Sequence, residues 1–173
     1  MANTYVKIGS TVEVGAGGAA NFQFTSIPST YTDLKISVSV RESAATNAGD
    51  VVGYMRFNAD TGTTNYSSRF VYGDGSAAAS LTNSGGAFQI CTSVNTANTF
   101  ASTDIYIPNY AGSTAKSWSS DTVTENNASA AFAALYASLW TGTAAITTIT
   151  LTPRSTLSFA QYSTATLYGI LKN

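Results

Sequence analysis

The side chains able to do chemistry are few and scattered. Nine carboxylates lie along the 173-residue chain: Glu13, Asp33, Glu42, Asp50, Asp60, Asp74, Asp104, Asp121 and Glu125. A glycoside hydrolase needs two of them about 5–9.5 Å apart across a cleft. Sequence spacing places no such pair, and most of these residues sit at turns or strand ends, where solvated carboxylates shape turns. Histidine is absent. That removes Ser-His-Asp and Cys-His nucleophile systems and histidine metal sites. The single cysteine, Cys91, cannot form an internal disulfide. Flanked by Gln89, Ile90 and Thr92, it reads as a small buried strand residue rather than a reactive thiol.

Residues 58–65 (NADTGTTN) alternate oxygen-bearing side chains around Gly62, faintly like a calcium loop. The full D-x-D-x-D-G spacing and the terminal bidentate Glu are missing, so a plain Asx-type turn is the favoured reading. Asn65-Tyr-Ser and Asn127-Ala-Ser match the glycosylation sequon, which Asn-rich turns also produce by chance. Arg56 and Arg69 fall on two consecutive strand-like runs. They are expected to face each other or to pair with Asp104 or Asp121, with binding to a partner as the second reading. Trp118 and Trp140 could stack on sugars, but both lie in strand patterns, and core packing is the favoured role. Neither a metal nor a cofactor is expected.

The elements that must position these residues read as β. Residues 33–41 alternate cleanly: Leu34, Ile36, Val38 and Val40 against Lys35, Ser37, Ser39 and Arg41, the pattern of a strand with one wet face. Residues 51–57 and 66–72 are strand-like around the 58–65 loop and predict a hairpin, followed by a tight Gly73-Asp74-Gly75 turn. Phe22 and Phe24 share one face of a short strand, and Pro28 stops sheet pairing at the next corner. Residues 76–86 are small and polar and read as a loop. Further strands are expected at 87–92, 100–107, 116–125, 145–152, 157–160 and 164–172. In 116–125 a change of face between Trp118 and Val123 is expected. Residues 128–140 fit a helix through Phe132, Leu135, Tyr136 and Leu139, and alanine favours helix. They also alternate as a strand, and the surrounding strands favour that reading.

About ten short strands at this spacing predict an all-β fold, an antiparallel β-sandwich with a jelly roll as the simplest winding. The division is an N-terminal strand or arm at 1–18 and a single sandwich domain at 19–173. Only 10 % of residues are charged, against roughly 25 % in an ordinary soluble domain. Uncharged Ser/Thr surfaces can pack against protein without the desolvation cost of charges, which points to partners. A net charge of -1 gives no basic footprint for nucleic acid or anionic lipid. No signal peptide is expected, and no apolar run approaches the ~18 residues of a membrane span.

Four segments carry a resemblance: 24–34 (FTSIPSTYTDL), 56–62 (RFNADTG) with Asn65-Tyr-Ser, 105–112 (IYIPNYAG) and 159–170 (FAQYSTATLYGI). Through them the chain resembles small virion structural proteins of tailed phages, especially those of aquatic bacteria and cyanobacteria, over nearly its whole length. The matching motifs are strands and turns and mark no active site. The resemblance implies a non-enzymatic β-sandwich that acts as an oligomer, often a homotrimer, in the virion after assembly in the host cytoplasm. It implies one of two roles, of which capsid decoration, cementing the major capsid protein, is the favoured reading. The alternative is a tail- or head-fibre module that binds a host receptor or glycan, with 76–86, 110–114 and Trp118 as binding loops. The expected partner-binding residues are Tyr5, Val6, Ile8, Val12 and Val14 of the N-terminal segment, with Tyr110 and Trp118.

Overall fold

The computed structural model describes residues 4–43, 52–92, 95–124, 131–154 and 157–171. They form an antiparallel β-sandwich of two unequal sheets, with strands numbered in chain order. The large sheet runs β1 (Tyr5–Lys7), β13 (Thr164–Ile170), β4 (Asp33–Val40), β9 (Ala101–Ile107), β10 (Lys116–Val123), β11 (Ala133–Trp140), β6 (Tyr66–Gly73) and β7 (Ala78–Asn83). A ninth strand, β2 (Val12–Glu13), also pairs with β13. The small sheet runs β3 (Phe22–Phe24), β12 (Ile149–Thr152), β5 (Val52–Phe57) and β8 (Gly86–Gln89). The pairing order is that of an antiparallel β-sandwich. The residues at 1–3, 44–51, 93–94, 125–130, 155–156 and 172–173, including Asp50, Glu125 and the Asn127 sequon, lie outside the described residues.

Period-two alternation forms these strands and fills the core. Leu34, Ile36, Val38 and Val40 of β4 are buried, as are Ala101, Ile105 and Ile107 of β9. They meet Phe22, Phe24, Met55, Phe57, Ile149 and Leu151 from the small sheet in one cluster. Cys91 is fully buried there, and burial raises its thiol pKa, which fits the structural reading. The ambiguous segment is a strand over 133–140, paired along its whole length with β10 and β6. Its alanines alternate with Leu135, Tyr136, Leu139 and Trp140, and two flanking strands override helix propensity.

Several expectations are corrected. β5 and β6 are not a hairpin. β5 pairs with β12 and β8, whereas β6 pairs with β11 and β7, so the 58–65 loop carries the chain from one sheet to the other. Asn58 and Ala59 both adopt positive φ, and Asp60 N–H donates to the Phe57 carbonyl at 2.8 Å. The resulting tight turn aims the chain across the sandwich. Residues 76–86 are not a loop: 78–83 is strand β7, and the Gly73-Asp74-Gly75 turn makes the β6–β7 hairpin. Expected strand 157–160 is reduced to bridges from Phe159 to Ala19 and Glu42. The N-terminal segment is part of the sandwich: β1 and β2 both pair with β13, and Val14 is buried in the core.

β10 keeps one face throughout, so no change occurs between Trp118 and Val123. Lys116, Trp118, Ser120 and Thr122 point inward, and Val123 points out. Lys116 is buried with its ammonium on the carbonyls of Gly112 (2.7 Å), Thr114 and Thr143 (3.4 Å). The inward hydroxyls have a different partner, β8, all four of whose residues are buried. Ser120 donates to the Ala87 carbonyl. Ser68 donates to Gly86 O at 2.7 Å, and Ser138 bonds to Ser68 at 3.1 Å. Gln89 N–H donates to Thr122 Oγ1 at 3.2 Å, and Thr122 bonds to Thr103 at 2.6 Å. A buried edge strand needs partners for its backbone, and here the opposing sheet supplies hydroxyls in place of another strand.

Candidate functional site

Register divides the outer face of the large sheet into two chemically distinct halves. Cross-strand partners share a face, so the rows can be followed from strand to strand. One row runs Ser37, Asp104, Asp121, Leu135, Val71, Ser80. The row beside it runs Val123, Ala133, Gly73, Ala78, and the row on the other side ends Ser119, Ala137, Arg69, Thr82. Over β11, β6 and β7 the face is therefore Val, Leu, Ala, Gly, Ser and Thr around a single charge, Arg69. Leu135 is 54 % exposed and Val71 56 %, side by side, with Val123 also exposed. Leu135 and Val71 line a shallow groove with Gly73, Ala78, Ser80 and the carboxylate-bearing Asp121. Val71 and Leu135 thus stand as adjacent large apolar side chains in mid-sheet, open to water.

The other half, over β1, β13, β4 and β9, is aromatic and charged. Tyr106, Lys35, Tyr168 and Lys7 follow one another across four strands. Lys35 pairs with Asp104 at 2.9 Å, which raises the ammonium pKa, and lies 5.9 Å from the centre of the exposed Tyr5 ring. Tyr106 donates to Asp33 at 2.8 Å, and Asp33 also accepts from Asn109 N–H. Asp104 and Asp121 are register partners, so the structure does bring two carboxylates together. They share the outer face of the sheet, and Lys35 engages one of the two.

The expected partner-binding residues separate. Tyr5 is exposed, and Val6, Ile8 and Val12 are half-buried along the β13 edge. Val14, Tyr110 and Trp118 are corrected: their side chains are core. Tyr110 donates to the Pro28 carbonyl and accepts from Tyr31 N–H, pinning the corner at 27–31. Trp118 stands edge-on to Phe57, with ring centres 5.2 Å apart, and Trp140 lies 5.4 Å from the same ring. Neither indole is a sugar platform.

Asp60 is the hub of the 58–65 loop. Its carboxylate accepts from Gly62 N–H (2.9 Å), Asn65 Nδ2 (2.9 Å) and Trp140 Nε1 (2.8 Å). Protein donors occupy the oxygens a calcium ion would need, and Asn65 is engaged at its sequon nitrogen. Arg56 makes no expected carboxylate pair: it lies over the rings of Tyr66 (4.5 Å) and Tyr54 (5.3 Å). Hydrogen bonds, the Trp140 indole first, hold the Asp60 carboxyl below the usual carboxylate range. A depressed folded pKa contributes stability that is present above the unfolded value of about 3.9 and lost as pH falls through the folded one. Asp60→Asn should therefore unfold more easily at neutral pH and lose stability less steeply below about pH 4. Thermal melts across that range check it. Asp74, similarly depressed by the Ala77 and Ser76 donors of its turn, leaves a residual slope.

The outer apolar face was missed by sequence reasoning because β7 was not read as a strand. The one signal available was Val71 and Leu135 falling out of phase with the inward residues of their strands. Comparison of the chain with known proteins found no matching family model, no similar curated protein and no similar solved structure.

Proposed function

We propose that this chain is a non-enzymatic virion structural protein, and specifically a capsid decoration protein that sits over junctions of the major capsid protein. The observation that supports it is the largely apolar outer face centred on Val71 and Leu135, with Asp121 and Arg69 as its flanking charges. That face suits a repeating partner surface: many weak apolar contacts on a lattice sum through avidity, so no tight single site is required. Homo-oligomerisation multiplies the number of contacts per particle. The N-terminal segment contributes as a sheet edge rather than as a free arm.

Labelled protein imaged on intact virions tests the location, with many copies over the head expected. Leu135→Lys should reduce binding to undecorated heads by about tenfold or more, because it buries a charge in an apolar contact. Its melting temperature should stay close to that of the parent, since the side chain is already exposed. Label confined to the tail, or full head binding by Leu135→Lys, would count against the proposal. A fibre module that binds glycan is the second reading. The exposed Tyr5 and Tyr106 with Lys35 favour it, since tyrosine offers a stacking ring with a wet hydroxyl. Glycan-array binding lost on Tyr106→Ala would establish that reading.

A further inference from the structure

We propose that two copies of this chain pair edge to edge through β7, joining their large sheets across a two-fold axis. The inference concerns self-association and stands apart from the virion reading. β7 is the last strand of its sheet and pairs only with β6 among the described strands. Alternate N–H and C=O groups along it therefore point away from the protein, as on any open edge. The sequence AASLTN has no charge, proline or bulge to discourage pairing. The small sheet treats its β8 edge in the opposite way, closing it with four hydroxyl-bearing side chains.

Three features point to a second copy as the occupant. An uncharged strand meets no like charge when it pairs with itself. Leu81 pairs with Phe70 and so belongs to the inner face, yet β7 overhangs the small sheet and leaves Leu81 48 % exposed. An antiparallel two-fold through Leu81 sets that side chain against its own mate, with Ala79 opposite Asn83 and Ser80 opposite Thr82. Every opposed pair then shares a face, as antiparallel register requires. On the outer side the Val71–Leu135 surfaces of the two copies become one continuous strip. Six-residue strands bury less than the ~1,000 Å² of a stable interface, so the dimer should be concentration-dependent. The two-fold also closes on itself, so any trimer would need a different contact.

Sedimentation equilibrium of the full chain tests this. The expected mass rises from 17.9 kDa toward twice that value with concentration. Leu81→Lys should weaken the dimer by about tenfold, with an unchanged monomer melt, and Thr82→Lys on the opposite face should act likewise should the first variant misfold. Oxidised Leu81→Cys should trap a covalent dimer, whereas Leu171→Cys, exposed at the far end of the sheet, should not. A monomer at every concentration, a dimer indifferent to both lysines, or equal cross-linking at Leu171 would overturn the proposal.

Discussion

Phe57→Ala is expected to destabilise the fold by about 3–5 kcal/mol, the range for truncating a fully buried phenylalanine. Phe57 is fully buried at the crossing between the sheets, where its ring meets Trp118, Trp140 and Tyr66. All three partners come from strands of the large sheet that can relax little into the gap, because β6, β10 and β11 are each paired on both sides. The backbone bond from Phe57 N–H to Tyr66 Oη (3.0 Å) survives the substitution, so the loss is one of packing. A domain of this kind has roughly 5–15 kcal/mol in all, so the variant sits near the threshold of folding. Denaturant unfolding followed by tryptophan fluorescence measures it. A loss below about 1 kcal/mol would mean that the aromatic cluster does not hold the sheets together.

The second large effect is a gain of one methyl group. Gly53→Ala should destabilise by about 1–3 kcal/mol although alanine loses less entropy on folding than glycine. A Cβ built at Gly53 falls 2.2 Å from the Phe88 ring, which is fully buried and cannot swing away. Gly53 and Phe88 are cross-strand partners beside a bulge in the β5–β8 pair, so the ring lies flat over the glycine and fills the missing side chain. The cost is steric, and shrinking the ring should relieve it. Gly53→Ala in a Phe88→Leu background should cost less than in the parent, and a double-mutant cycle reads the coupling. Additive losses would show that the clash is absorbed elsewhere.

Much of the fold was legible because alternation was clean. β4 and β9 each bury one face of a period-two pattern. β11 could be chosen over a helix because its neighbours were plainly strands. What failed did so for physical reasons. The β5–β6 hairpin looked sound because both runs are strand-like, but a hairpin and a crossing between sheets differ only in the turn, and a left-handed Asn58-Ala59 pair carries little sequence signal. β7 was invisible because an overhanging edge strand has no buried face and so no period. The change of face expected between Trp118 and Val123 did not occur, because the inward positions between them are the polar Ser120 and Thr122. Their partner, the β8 backbone, is contributed by a segment about 30 positions earlier in the chain. Tyr110 and Trp118 were candidates for binding because aromatics serve surfaces and cores equally, and only burial separates the two.

The hydroxyl seal on β8 also predicts an order of events in time. β8 draws its bonds from Ser68, Ser120, Thr122 and Ser138, residues that come together only once β6, β10 and β11 have paired. Docking β8 any earlier would strand its carbonyls in an apolar interface, so the seam is expected to close late. Interactions absent from the folding transition state act on the rate of unfolding, not on the rate of folding. Ser138→Ala should therefore speed unfolding and leave refolding nearly unchanged, a pattern that stopped-flow chevrons would display. Slower refolding would place the seam in the nucleus. In kinetic terms the seal is a latch, fastened last and released first, and it governs how long a folded particle lasts more than how readily it forms.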